Sequence, residues 1–172
     1  MVQEEAIRWS AWPAVICYFV ATGLRLQNCN ASHDRFRRIF WLAGWFALLI
    51  HVVLAFALFH GGSWQAAYDH TARATLAATG WNSGAGLWVN LVTLLVWGAD
   101  LLQRQLSARP PGLFRSRWDV FCQLYLAFMV FNATAVFGSP PARAAGCLGF
   151  GLLLMLAVVR RVRLLLGWSE RS

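Results

Sequence analysis

Five stretches of this chain are apolar over roughly the 20 residues that a helix needs to cross about 30 Å of hydrocarbon, and each has arginine at one end. They run from about Trp9 to Leu26, Ile39 to His60, Gly84 to Leu102, Trp118 to Phe137 and Ala142 to Val159. The fifth is the shortest, because Arg160, Arg161 and Arg163 follow it directly. Long arginine side chains reach back to an interface, and Leu164, Leu165, Leu166 and Trp168 imply that this helix continues along the membrane surface. Such a chain has one economical fold: an all-α integral membrane protein, a single bundle of five transmembrane helices over residues 1–172.

Composition supports the same class. Apolar residues make up 59% of the chain and charged ones 13%, about half the usual quarter. A disordered chain and an ordinary water-soluble globule are both excluded. The net charge of +8 would suggest nucleic acid if it lay on one face of a soluble domain, but all 15 basic residues are arginines set at the ends of apolar stretches. No nucleic-acid partner is expected.

The arginines set the orientation. Arg25, Arg35, Arg37 and Arg38 lie between the first two stretches, Arg104, Arg109, Arg115 and Arg117 between the third and fourth, and Arg160, Arg161, Arg163 and Arg171 after the fifth. Twelve therefore share one side and only Arg8, Arg73 and Arg143 fall on the other, which by the positive-inside bias puts the N-terminus outside and the C-terminus in the cytoplasm. Tryptophans collect at headgroup depth, and the same arrangement puts Trp9, Trp12, Trp64, Trp81 and Trp88 in an outer belt. Trp41, Trp45, Trp118 and Trp168 fall in an inner belt, with Trp97 alone deeper. Glu4 and Glu5 precede the first apolar run and its basic cluster follows it, the pattern of an uncleaved anchor. Arginine in place of every lysine fits a GC-rich genome, so a bacterial cytoplasmic (inner) membrane is the expected location.

Between the second and third stretches, Trp64–Thr79 reads as an amphipathic helix lying in the outer interface. Trp64, Ala67, Tyr68, Thr71, Ala72, Thr75 and Leu76 share one face, and Gln65, Asp69, His70 and Arg73 the other, with Asp69 and Arg73 spaced to pair. Gly61 and Gly62 turn the chain into it; Gly80, Asn82, Ser83 and Gly84 turn it back. Ser107–Ser116, with Pro110, Pro111 and Gly112, makes an inner turn, and Gly138, Ser139, Pro140 and Pro141 an outer one.

Ionisable groups within the apolar stretches are functional hypotheses by default. His51 lies near the middle of the second, on a face shared with Gly44, Ala47, Leu48 and Ala55. It reads first as a neutral imidazole bonded to a neighbouring helix. The alternatives are a haem b ligand, alone or with Met129, a quinone contact, or a proton relay. Asn90, Thr93, Trp97 and Asp100 form an inward stripe on the third. A polar network of His51, Asn90 and Asn132 is expected, with register-fixing hydrogen bonds preferred over a substrate site. Asp100–Arg104 and Arg115–Asp119 have ion-pair spacing. His60, Asp69 and His70 are weak metal-ligand candidates that match no metal motif.

Four cysteines, Cys17, Cys29, Cys122 and Cys147, show no paired spacing. The sequons at Asn30 and Asn132 fall on the inner side and within a span, so neither is expected to carry glycan. Ala145 and Gly149, with Gly146 and Gly151 nearby, form a small-residue face for close helix contact. There is no nucleotide loop, catalytic serine elbow, zinc-protease signature or redox cysteine pair, and the polar segments are too short for an enzymatic domain. The reading is a structural, accessory or assembly protein, in contact with the lipid bilayer and with other membrane subunits or copies of itself, with no cofactor. A haem- or quinone-binding electron-transfer subunit comes second. A small solute transporter comes third, against which stands the absence of an inverted repeat.

Overall fold

The computed structural model describes residues 7, 9–27, 31–106 and 117–166, with only the backbone of Ala31, Ser32 and Leu106. Among these residues every regular element is helical: α1 Trp12–Leu26, α2 Ala31–Leu54, α3 Trp64–Thr79, α4 Gly86–Leu106, α5 Arg117–Phe131 and α6 Pro140–Leu165. Helices α2 and α5 each finish in a π-helical turn, Ala55–Phe59 and Asn132–Val136. The inner Pro-Pro turn, Arg109, Arg115, Cys29, the Asn30 sequon, Arg8, Trp168 and Arg171 lie outside the described residues.

Four helical segments are long and apolar enough to cross a membrane: His33–Phe59, Gly86–Gln105, Arg117–Val136 and Pro140–Leu165. The fifth apolar helix, α1, has 15 residues, below that length, preceded by helical Trp9 and Ser10. Two boundaries differ from expectation. Helix α2 starts at Ala31 and not at Ile39, because Asp34 binds both Arg37 and Arg38 one turn on, and charge neutralised along a helix face supports that helix. Helix α6 runs unbroken to Leu165 through its arginine cluster, past the expected end at Val159.

Pro13 sits in the first turn of α1, and Pro140 and Pro141 open α6, where a missing N–H costs nothing. A helix forms over the expected residues Trp64–Thr79. Ser63 caps α3 by accepting from the Ala66 amide, and Gly80 ends it in the left-handed conformation with φ 79°.

Contacts run from α1 to α2, α2 to α4, α4 to α5, the end of α5 to α6, and α6 back to α1, with α3 against α4. The five long elements thus close a cycle. Its interior is aromatic: Tyr18 of α1, Trp41 of α2 and Trp97 of α4 pack with Leu126 and Val130 of α5, and the Trp41 and Trp97 ring centres lie 5.0 Å apart. Glycines permit this approach. A methyl group at Gly44 would stand 2.8 Å from the Trp97 ring, so α2 and α4 close here only because that position carries no Cβ. Gly149 receives the Phe19 ring and Gly146 receives Thr134 in the same way, so the small-residue face of α6 is spent within the chain, except that Gly151 meets open space.

Trp41, expected at headgroup depth, is instead a core residue. The physical reason is its indole N–H, which has a buried carboxylate to bind.

Candidate functional site

That carboxylate is Asp100, on the last turns of α4 and 1% exposed. Trp41 Nε1 donates to Asp100 Oδ2 at 2.8 Å. Arg104, one turn further along α4, donates through Nε to the same oxygen at 2.6 Å and through Nη2 to Oδ1 at 3.1 Å. The spacing of four residues makes this fork possible, since residues i and i+4 lie above one another on a helix. Arg104 Nη2 also donates to Asp119 Oδ1 on α5, and the Arg104 guanidinium lies 5.9 Å from the centre of the Trp41 ring. Arg25, at the end of α1, completes the set: its Nη2 is 3.4 Å from Asp119 Oδ1. Arg160 of α6 donates to the carbonyls of Arg25 and Leu26, at 3.2 and 3.1 Å.

Two carboxylates and two guanidiniums, drawn from α1, α4 and α5 and joined by an indole from α2, thus meet in one buried cluster. Isolated charges there would cost several kcal/mol each. Here carboxylate meets guanidinium through charge-assisted bonds, which offset that cost. Cys122, fully buried on α5, completes the α5 face beside Asp119. A thiol so enclosed is a packing group. The cluster binds four helices at one level, and through Arg160 a fifth.

The expected polar network does not assemble. His51 is half-buried and its Nδ1 lies 2.9 Å from Ser10 Oγ. Ser10 Oγ also lies 2.7 Å from the Ile7 carbonyl, to which it can donate, so this hydroxyl links His51 to the turn before α1. Asn90 is exposed, as are Trp88 and Val89 beside it. Asn132 donates to the Phe128 carbonyl of its own helix at 2.8 Å. Thr93 is buried, and its hydroxyl and that of Tyr125, 3.3 Å apart, both reach the Val89 carbonyl, tying α5 to α4.

At the other end of the bundle His60 and His70 come together, with ring centres 5.4 Å apart, and Phe59 lies 4.8 Å from His70. Burial and the facing His70 both hold the His60 pKa below its ordinary value. Asp69 does not join them or pair with Arg73; it accepts from Gln65 Nε2 at 2.9 Å. Among the described residues no group of three or more His, Cys, Asp or Glu side chains is placed to hold a metal ion.

Sequence reasoning found Asp100, Arg104 and Asp119 but missed Arg25 and Trp41 as their partners. Arg25 was counted with the loop charges and Trp41 with the interfacial indoles. Arg25 stands one residue before the end of α1 and Trp41 lies in the interior of α2, and neither position marks its partner.

The fold and this cluster define a class: among the described residues, an all-helical bundle with four helices long enough and apolar enough to cross a membrane, with a buried cluster of paired carboxylates and guanidiniums at one end. No family model, curated protein or solved structure matches the chain.

Proposed function

We propose that this chain is a five-span integral protein of a bacterial cytoplasmic membrane, N-terminus outside and C-terminus inside, with a structural or accessory role as a subunit of a homo-oligomer or of a larger membrane complex. The observation that carries this reading is the disposition of apolar and charged surface. Within the most apolar part of the four long helices only 6% to 33% is buried inside the chain, and Ile50, Leu58, Leu95, Leu124, Phe128, Leu148 and Leu154 are exposed. A surface of this extent is stable only against lipid or other helices. The buried carboxylates Asp100 and Asp119 are bound to Arg104 and Arg25, which supports a register-fixing element; a transport pathway keeps a group available to the solute.

Helix α1 counts as the fifth span. Its 15 residues give about 22 Å at 1.5 Å per residue. Ser10 meets His51 beyond one end of it and Arg25 meets Asp119 at the other, so it runs alongside the bundle from the His51 level to the charge cluster.

The test is purification of the tagged full-length chain in mild detergent, with its mass in the protein–detergent particle and its co-eluting proteins measured. A stoichiometric partner or a defined oligomer is expected. A monomer with no partner that drives solute flux in vesicles would overturn the proposal in favour of transport.

A further inference from the structure

We propose that His60 and His70 form a two-imidazole site for a late first-row divalent metal, Zn²⁺ or Cu²⁺, at the end of the bundle opposite the charge cluster. The inference is independent of the accessory role.

The two residues sit on different elements, and the chain between them is built to hold them facing. His60 closes the π-helical turn of α2, its amide donating to the Ala55 carbonyl at 3.0 Å. Gly61 and Gly62 then reverse the chain with φ of 57° and 73°, a conformation that side chains resist. The Gly62 amide returns to the Phe56 carbonyl at 2.9 Å and the Ser63 amide to the His60 carbonyl at 3.0 Å. Ser63 then caps α3, and His70 follows on its second turn. Both ends of the connection are thus pinned by hydrogen bonds, and little ordering is left to be done on binding.

The separation fits a shared metal. A nitrogen ligand about 2.1 Å from the ion places the imidazole centre roughly 3.2 Å from it, and a near-tetrahedral angle then puts two such centres about 5.2 Å apart. The observed distance is 5.4 Å. Both rings are half-buried and Phe59 flanks them at 5.0 and 4.8 Å, which limits competing water on one side. Neutral imidazole selects zinc, copper and nickel over magnesium and calcium, which take oxygen.

The experiment uses the full-length chain purified through a tag that contains no histidine. Zn²⁺, Cu²⁺ and Mg²⁺ are titrated calorimetrically into the wild type and into His60→Ala, His70→Gln and His51→Ala. One site per chain is expected, tighter for Cu²⁺ than for Zn²⁺ and silent to Mg²⁺. Loss of either ring weakens Cu²⁺ binding by about tenfold or more, while His51→Ala binds as the wild type does. Helix content and elution volume are measured for each variant, and His70→Gln, which keeps size and polarity, separates ligand loss from misfolding. Binding that survives both the His60 and His70 substitutions, or that is lost equally in His51→Ala, overturns the site, as does a silent wild-type titration.

Discussion

At Asp100 the carboxylate accepts from Trp41 and from both arms of the Arg104 fork, so each oxygen has a purpose. Asp100→Asn keeps the shape and one acceptor but removes the charge, leaving Arg104 with Asp119 alone in a cluster that also holds Arg25. Breaking a buried pair from one side costs about 3–5 kcal/mol, and a drop of that size is expected in the unfolding free energy measured by denaturant titration in mixed micelles. Adding Arg104→Met removes the excess positive charge and is expected to recover part of the loss. A single variant within about 1 kcal/mol of wild type would mean that the cluster is not what joins the helices. His51 offers a second residue-scale test. Its Nδ1 shares a hydrogen bond with Ser10 Oγ, so His51→Ala loses one neutral hydrogen bond, about 1 kcal/mol. The accessory reading expects no visible absorbance in either protein after expression with haem supplied. A Soret band present in the wild type and absent in the variant would make this an electron-transfer subunit.

Helices meet here through glycine, and that gives a test with an internal control. Gly44→Val pushes a branched side chain into the Trp97 ring, 2.8 Å from where its Cβ must stand. Overpacking of this kind costs about 1–3 kcal/mol. Gly151→Val, on α6 with nothing within 4 Å, is expected to leave the unfolding midpoint unchanged or to raise it through better helix propensity. Equal effects at the two positions would remove the close α2–α4 contact from the account. The elements themselves were legible in the sequence where turn chemistry and periodicity agreed. Helix α3 was bounded correctly because glycines flank a segment with one mixed apolar face. The start of α2 was not, since its arginines look like a loop until Asp34 is seen to pair with two of them. Which polar side chains meet was the least legible. Angular position assigns a residue to a face, and Thr93, Trp97 and Asp100 are indeed buried together. It says nothing of the neighbouring helix, so equal depth wrongly joined His51 to Asn90 and Asn132, and the meeting of Arg25, Trp41 and Asp119 with Asp100 and Arg104 in one cluster had no local signature.

For the whole molecule the decisive quantity is how many times the chain crosses the bilayer. The described charges are lopsided: Arg25, Arg35, Arg37, Arg38, Arg104, Arg117, Arg160, Arg161 and Arg163 gather at the end that holds Asp34, Asp100 and Asp119, against Asp69, Arg73 and Arg143 at the other. The positive-inside bias therefore orients the four long helices whatever α1 does. What α1 decides is the side on which the chain begins. If it crosses, Trp9 lies with Ser63 and Ser139 outside; if it folds back within one leaflet, Trp9 shares the side of Arg161. Single cysteines at these four positions, in a background lacking the native ones, are expected to react with a membrane-impermeant thiol reagent added to intact cells at Trp9, Ser63 and Ser139, and at Arg161 only after permeabilisation. Trp9 is 67% exposed, so failure to label there reflects the membrane and not packing. Labelling at Ser63 and Ser139 without Trp9 would leave four spans and place the first helix as a half-crossing element. Labelling at Arg161 alone would invert the orientation, because the arginines would then lie on the side that the charge bias disfavours.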